Sequence, residues 1–261
     1  MQENPLIDIQ DLQIIYGEKS DSILALDKID LQIRKGEFLC LLGPSGCGKS
    51  TLLKTIAGYI KPTKGNCFMQ GEPIDGPDWN RGVIFQSPTL YPWMSVKDNV
   101  EFGPKMRGLP PAEIKKTRRF FLEQVQLTGF GDKATFELSG GMKQRVALAR
   151  VLANNPEVIL MDEPFGALDA LTRDNMQNLV RNIWKENNST IFFITHDIDE
   201  ALLLGTRIVV MSRRPGKIIR EFKTNFTKQI YNENSKELIY TMKYINIKNE
   251  ILALINNQSD E

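Results

Sequence analysis

The chain of 261 residues lacks several features that define other classes of protein. Its three cysteines, Cys40, Cys47 and Cys67, show no C-x-x-C spacing, so we expect reduced thiols in a cytosolic protein, not disulfides or a zinc site. The formal net charge is only +1, which gives no reason to expect nucleic acid or an anionic membrane as a general partner. No apolar stretch approaches the roughly 20 residues that span a bilayer, and no signal peptide is expected at the N-terminus.

The composition is that of an ordinary globular protein. Hydrophobic residues make up 41% of the chain and charged residues 25%. This length is sufficient for one large domain or for two closely joined subdomains, each with a core.

The N-terminal part of the chain predicts strands that lead into a glycine-rich loop. Residues 29–34 alternate between apolar and polar side chains, and residues 38–42 are continuously apolar, as in a buried strand. The second of these strands runs directly into residues 43–51, and a helix is predicted at 50–59, before Pro62. This order of strand, loop and helix is the context in which such a loop binds phosphate.

Later apolar segments predict a parallel, doubly wound sheet, because helical stretches separate them. The predicted strands lie at 82–85, 158–161, 191–194 and 208–211. In such sheets, functional residues gather at the carboxyl ends of the strands. Gly43, Gln86, Asp162 and His196 each follow a predicted strand, and we expect them to be functional.

Residues 87–155 predict a helical subdomain inserted into the α/β core. Pro110 and Pro111 open one helix, and a second helix opens at Gly140. We therefore predict one large domain at 1–220 and a short, partly helical C-terminal extension at 221–261. The apolar residues that predict helix in the extension are Met242, Ile245, Leu252 and Ile255.

The glycine-rich loop fits the phosphate-binding pattern G-x-x-x-x-G-K-[ST] and consists of Gly43, Pro44, Ser45, Gly46, Cys47, Gly48, Lys49, Ser50 and Thr51. Its glycines let backbone N–H groups turn towards phosphate, and the helix N-terminus adds partial positive charge. We expect Lys49 to reach the β- and γ-phosphates of ATP and Ser50 to hold Mg²⁺. The alternative is an ordinary glycine turn before a helix. Because a helix N-terminus favours the thiolate, we also expect Cys47 to be a reactive thiol that ATP protects.

Two adjacent carboxylates, Asp162 and Glu163, follow the apolar run at 158–161. At a buried edge, such a pair is costly without a cation or hydrogen-bond partners. A Mg²⁺–phosphate centre supplies that partner, and phosphoryl transfer depends mainly on positioning and charge. The alternative is an acidic cap at the end of a strand.

The run Leu-Ser-Gly-Gly-Met-Lys-Gln-Arg at 138–145 lies between these two motifs and resembles the signature of the ABC ATPases. It has Met142 where the commonest signature has glutamine. The resemblance covers roughly residues 6–217. It implies a P-loop NTPase (RecA-like) core with an N-terminal antiparallel β subdomain and an inserted α-helical subdomain. It also implies that each ATP site is completed by a second ATPase subunit.

The same resemblance implies the catalytic roles. Asp162 acts on Mg²⁺ through water, and Glu163 is the catalytic glutamate that polarises the attacking water. Gln86 touches Mg²⁺ or that water, whereas Lys49 reaches the phosphates and Ser50 holds Mg²⁺. His196, the only histidine, is the switch residue that hydrogen-bonds the γ-phosphate. The alternative for a lone histidine is a structural or surface residue.

Further residues are implied to contact the nucleotide from elsewhere. The resemblance implies that the ATP bound on the partner subunit is contacted by Ser139, Gly140 and Gly141. It also implies that Asp169 lies across the dimer seam. Tyr16 lies near the end of the first β region and corresponds to the aromatic residue that stacks on adenine. The alternative for Tyr16 is an ordinary surface or core tyrosine.

Three segments resemble the nitrate/sulfonate/taurine importer ATPases, namely 90–93, 162–173 and 212–216. Such subunits lie peripherally on the cytoplasmic face of the inner membrane and drive uptake through a separate permease. The solute, a small anion, is delivered by a binding protein. One departure is Thr206, where that group often has aspartate. The expected partner is a second ATPase subunit, identical or a close paralogue, and no nucleic acid.

Two other interpretations remain open. Soluble ABC ATPases that act on nucleic acid or the ribosome carry long coiled-coil insertions or two motif sets, and this chain shows neither. An exporter ATPase subunit is disfavoured only by resemblance.

Tyr91, Pro92 and Trp93 follow Gln86, and we expect them at the surface that receives the permease, with a core plug as the alternative.

Overall fold

The computed structural model describes residues 4–17, 21–233 and 237–257. Within these residues, the strands are Ile7–Tyr16 (β1), Ile23–Ile33 (β2), Phe38–Leu42 (β3), Lys64–Met69 (β4), Glu72–Pro73 (β5), Arg81–Ile84 (β6), Val158–Asp162 (β7), Thr190–Ile194 (β8), Arg207–Met211 (β9) and Ile218–Lys223 (β10). The α-helices are Lys49–Ile56 (α1), Val96–Met106 (α2), Pro111–Gln124 (α3), Gly140–Leu152 (α4), Ala170–Asn187 (α5), Ile198–Leu204 (α6), Phe226–Glu233 (α7) and Met242–Asn256 (α8). The chain divides into two compact units, Met1–Pro77 with Arg181–Glu261, and Asp78–Val180.

An antiparallel sheet in the first unit has the strand order β2, β1, β4 and β5. β1 pairs with both β2 and β4, so that Ile7 lies opposite Ile33 and Met69. Ile29, Leu31 and Ile33 are buried and the residues between them are exposed, as the alternating pattern predicts. The predicted N-terminal antiparallel β subdomain is therefore confirmed.

A second group of strands in the first unit has the order β10, β9, β3 and β8. β3 pairs in parallel with β8 and β9, and all of its residues are buried, which explains its continuously apolar sequence. α1 follows β3 through the glycine-rich loop. It ends at Ile56 and not at the predicted Tyr59, because Gly58 takes a φ of 82° and turns the chain.

Thr206, the departure from the importer pattern, precedes β9. Its Oγ1 accepts a hydrogen bond from the Phe38 N–H (3.1 Å) and donates one to the Phe38 carbonyl (3.1 Å). Arg207 follows and pairs with Glu37 at 3.0 Å while almost fully buried. A hydroxyl thus ties the start of β9 to β3 without a carboxylate, so the departure leaves the sheet intact.

The C-terminal helices α7 and α8 pack against α6. The segment that was predicted helical is helical, but Met242, Ile245 and Leu252 are exposed, and the buried residues of α8 are Tyr244 and Ile251. The predicted division between residues 220 and 221 falls within β10. The separation into a domain and an extension stays a prediction.

In the second unit, β6 and β7 pair in parallel, with Arg81 opposite Val158. The helices α2, α3 and α4 pack against one another, and α4 also packs against β6. The stretch 87–155 therefore contains three α-helices, and its extent as a subdomain stays a prediction. None of the helices in the described parts of the chain combines the length and apolar character needed to cross a membrane.

Candidate functional site

The glycine-rich loop joins β3 to α1 and surrounds the Lys49 ammonium. Gly46 and Gly48 have φ values of 75° and 103°, which a side chain would strain. The Lys49 Nζ donates to the carbonyls of Gly43 (2.7 Å) and Pro44 (2.9 Å), and the residue is 7% exposed. A cation held inside a loop at a helix N-terminus is suited to bind an anion such as phosphate.

The back of this loop rests on two other segments of the first unit. The Gly216 N–H donates to the Ala25 carbonyl (2.9 Å), and the Asp27 N–H donates to the Gly216 carbonyl (3.0 Å). A β-carbon on Gly216 would overlap the Cys47 carbonyl oxygen, so only glycine fits there. The segment 212–216 was predicted only as a mark of its family. The close approach of backbones gives Gly216 a supporting function that its sequence spacing does not reveal.

Gly216→Ala is expected to weaken ATP binding about tenfold and to lower the free energy of unfolding by about 1–3 kcal/mol, because the methyl group displaces the loop. Calorimetric titration with ATP and thermal unfolding measure the two effects. Gly76→Ala is the control, since a β-carbon there meets nothing within 4 Å. Wild-type ATP affinity in Gly216→Ala would contradict the supporting function.

Cys47 is not the accessible thiol that was predicted. It is 1% exposed, and burial raises the pKa of its thiol despite the nearby Lys49 charge. A β-carbon on Gly43 would lie 3.0 Å from its Sγ, so the thiol packs close to Gly43. The prediction of a nucleotide-protected thiolate is therefore wrong, and Cys40 and Cys67 are buried as well.

Tyr16 ends β1, and its hydroxyl donates to Thr51 Oγ1 at 3.2 Å. The contact brings the ring to α1, directly after the phosphate-binding loop. Because the residue is 42% exposed, part of the ring remains open to a ligand. Stacking of Tyr16 on adenine stays a prediction that this position favours.

The acidic pair lies at the end of β7, in the second unit. Asp162 is the last residue of the strand, and Glu163 follows it with a φ of 46°, a left-handed conformation that costs a glutamate about 1–2 kcal/mol. A β-carbon on Gly166 would lie 3.6 Å from the Glu163 carbonyl oxygen and 3.7 Å from the Gln86 amide nitrogen. The turn after β7 and the predicted Gln86 are therefore neighbours. Local strain of this kind is commonly retained at functional positions.

The signature segment opens α4. Ser139 is the N-cap, and its hydroxyl accepts from the Met142 N–H at 3.3 Å. Met142, the residue that departs from the usual signature, contributes its backbone to this cap and leaves Ser139 and Gly140 exposed. A β-carbon on Gly141 would lie 2.7 Å from the Thr172 methyl group, so the signature lies beside the first turn of α5.

Asp169 caps that same turn of α5. Its Oδ1 accepts from the Thr172 N–H at 2.9 Å, and this hydrogen bond holds the pKa of the carboxyl below its usual range. The predicted signature and the predicted seam residue are thus close together on an exposed surface of the second unit.

Gln144, which sequence reasoning did not select, is buried and donates to the Phe85 carbonyl at 3.5 Å, next to Gln86.

His196 belongs to the first unit and lies between β8 and α6. It is exposed, whereas Thr195 before it is buried. The structure therefore excludes a core histidine. The role of His196 towards a γ-phosphate stays a prediction.

The predicted magnesium ligands have the right chemistry for that ion. Ser50, Gln86 and Asp162 offer hydroxyl, amide and carboxylate oxygens, and none of them is fully buried. Within the described ranges, no group of three or more His, Cys, Asp or Glu side chains could hold a metal. Mg²⁺ is typically held by one or two protein oxygens together with phosphate and water, so this donor set fits Mg²⁺ bound with a nucleotide.

Comparisons with known proteins identify the family. The family model for the ABC transporter (ABC_tran) matches residues 26–166. The chain is 49% identical to the taurine import ATP-binding protein TauB of Roseobacter denitrificans, over 92% of this chain and 90% of that protein. It is 42% identical to the nitrate import ATP-binding protein NrtD of Synechocystis sp., over 98% and 97% of the two chains.

Solved structures agree with these sequences. The dimeric ATP-binding cassette MJ0796, in a post-hydrolysis state bound to ADP and Pi, has 33% identity and a TM-score of 0.73, over 83% of this chain and 98% of that one. The protein cbiO1 from Clostridium perfringens, part of the transporter complex cbiONQ, has 31% identity and a TM-score of 0.77, over 95% and 100%. The chain belongs to the ABC transporter family. It is a nucleotide-binding ATPase with the P-loop NTPase fold, as predicted.

Proposed function

We propose that the chain is the ATP-hydrolysing subunit of an importer for a small anion such as nitrate, a sulfonate or taurine. The relatives that it matches over at least nine tenths of their length are named as taurine and nitrate import ATP-binding proteins. The single observation that carries the ATPase role is the buried Lys49 ammonium, held by the carbonyls of its own phosphate-binding loop. The cargo follows from the relatives alone.

Hydrolysis needs few groups from the protein. Lys49 and the loop N–H groups hold the phosphates. Glu163 orients the attacking water and accepts a proton from it. The water oxygen bonds to the γ-phosphorus as the bond to the bridging oxygen of ADP breaks, so ADP and phosphate leave. Mg²⁺, held by Ser50, Gln86 and Asp162, would neutralise charge on the phosphate oxygens. His196 donates a hydrogen bond to the γ-phosphate.

The exposed Ser139 and Gly140 support a role in trans. A hydroxyl at a helix N-terminus favours an anion, and the chain's own loop already supplies a phosphate site. We infer that the signature contacts ATP on a second ATPase subunit, identical or a close paralogue, and that Asp169 lies at their seam. The assembly lies on the cytoplasmic face of the inner membrane, bound to permease subunits and indirectly served by a solute-binding protein. No nucleic acid is involved.

Reconstitution tests this function. The chain and its permease are reconstituted in liposomes that enclose ATP, and the binding protein is added outside. Uptake of labelled taurine, a longer sulfonate and nitrate is then measured. Uptake of one of these anions is expected, and Lys49→Ala is expected to abolish it. ATPase activity that responds to nucleic acid or ribosomes, without association with a permease, would favour the soluble alternative.

Trp93 is the most exposed part of an aromatic cluster in the second unit. It is 77% exposed, and its ring lies 5.7 Å from that of Tyr91, which in turn packs on Phe102 at 4.7 Å. Arg150 lies over Tyr91 at 5.1 Å. Tyr91 therefore anchors the loop, and the exposed Trp93 is free to meet a partner, which argues against a simple core plug.

Trp93→Ala is expected to weaken permease association about tenfold to a hundredfold and to leave ATP affinity unchanged. The reason is that truncation of a tryptophan at the centre of an interface commonly costs about 2 kcal/mol or more of binding free energy. Co-purification and ATP titration measure the two quantities. Trp79→Ala is a matched control, since Trp79 is 45% exposed and lies under Arg107. Equal losses of association in both variants would contradict a specific docking role for Trp93.

A further inference from the structure

Two side chains of the C-terminal helix α8 bind a carboxylate in the first turn of α6. The Asp199 carboxylate accepts a hydrogen bond from the Tyr244 hydroxyl at Oδ1 (2.9 Å) and pairs with the Lys248 ammonium at Oδ2 (2.7 Å). Tyr244 and Lys248 lie one turn apart on α8, on the same face. One face of α8 therefore occupies both oxygens of a carboxylate on α6.

Tyr244 is also fixed from its other side. The residue is 2% exposed, and its ring packs edge-on against Phe226 of α7 with centroids 5.2 Å apart. Burial, and then the hydrogen bond to Asp199, raise the pKa of Tyr244 well above its ordinary value, so the hydroxyl keeps the proton that it donates. The phenol is a rigid donor and not a mobile surface group.

His196 directly precedes the N-cap of α6. Asp197 is the N-cap of α6, and its Oδ1 accepts from the Glu200 N–H at 3.1 Å. The Thr195 Oγ1 accepts from the Asp197 N–H at 3.0 Å. His196 thus lies between the end of β8 and the N-cap of α6, so a displacement of α6 is expected to move the His196 backbone.

We propose that Tyr244 and Lys248 are positioning residues that hold α6, and through it His196, in the orientation that ATP hydrolysis requires. This inference rests on the proposed role of His196 at the γ-phosphate. It gives the C-terminal segment, which carries no nucleotide motif, an effect on turnover. The competing explanation is that α8 merely covers apolar surface and contributes stability alone.

Tyr244→Phe separates these explanations, since it removes the hydroxyl and keeps the ring that packs on Phe226. In the permease-bound complex, kcat for ATP is expected to fall about five- to tenfold while KM changes less than about twofold. Lys248→Met is expected to give a smaller fall, because its ammonium is partly exposed. Glu250→Gln is the control, since it removes the ion pair from α8 to Arg220 of β10 (2.6 Å) and leaves α6 untouched.

The imidazole of the single histidine provides a readout that does not depend on turnover. In protein with isotope-labelled histidine, Tyr244→Phe is expected to shift the His196 NMR signals, and Glu250→Gln is expected to leave them in place. Unchanged signals and unchanged kcat in Tyr244→Phe, or a loss of thermal stability alone, would overturn the positioning role. Wild-type turnover in His196→Ala would instead overturn the proposed function of His196, so the two failures are distinguishable.

Discussion

Glu163→Gln is expected to lower ATP turnover by about a hundredfold to a thousandfold while ATP still binds. Glutamine keeps the size and shape of the side chain, and it occupies the same left-handed backbone position after β7, where φ is 46°. Only the negative charge that polarises water is removed. The ATP-bound dimer should therefore persist, because hydrolysis is the step that ends its life.

The experiment measures steady-state ATPase activity in the permease-bound complex, ATP affinity by titration, and dimer lifetime by size-exclusion chromatography with ATP. Glu123→Gln on α3 is the matched control, because Glu123 is exposed and lies outside the nucleotide motifs. Turnover at the wild-type rate in Glu163→Gln would refute the role of Glu163. A loss of ATP binding equal to the loss of turnover would show that the change has damaged the site and not removed a charge.

The parts of the fold that sequence alone predicted are those encoded locally. The run at 38–42 is buried throughout as β3, and the loop and α1 follow it directly. The cap of α4 by Ser139 follows from a hydroxyl residue before a glycine pair. Each of these depends on neighbours in the chain, so a short window of sequence contains the necessary information.

Helix α2 was not predicted, because its sequence argues against helix. It contains Gly103 and Pro104, which disfavour a helix interior by about 1 and 3 kcal/mol. Tertiary packing outweighs these preferences. Val96 and Val100 are fully buried, and the side chain of Asn154 lies where a β-carbon on Gly103 would be, so the glycine is required by a close approach.

Contacts between distant residues were equally beyond sequence reasoning. Asp199 and Tyr244 are 45 residues apart, and no periodic pattern connects them. Cys47 shows the same limit for the burial of a side chain, since its motif fixes the loop and not whether the thiol is exposed or buried. Residues 212–216 carried a family resemblance, but the contact of Gly216 with the phosphate-binding loop appears only in three dimensions.

His196→Ala is expected to lower turnover about a hundredfold and to change ATP affinity less than about threefold, because a hydrogen bond to the γ-phosphate matters most in the transition state. The residue is exposed between β8 and α6, so its removal leaves no cavity in the core. The alanine variant should therefore unfold at the wild-type temperature. This combination of lost turnover, retained binding and retained stability is characteristic of a group that acts on the reacting phosphate.

The assay compares wild type, His196→Ala and His196→Gln in the assembled complex. Glutamine retains a donor at similar reach, and it is expected to recover part of the activity. Because His196 is the only histidine, its NMR signals can be followed without ambiguity, and they are expected to respond to ATP with Mg²⁺ much more than to ADP. Equal responses to ATP and ADP, or wild-type hydrolysis in His196→Ala, would exclude His196 as a sensor of the γ-phosphate.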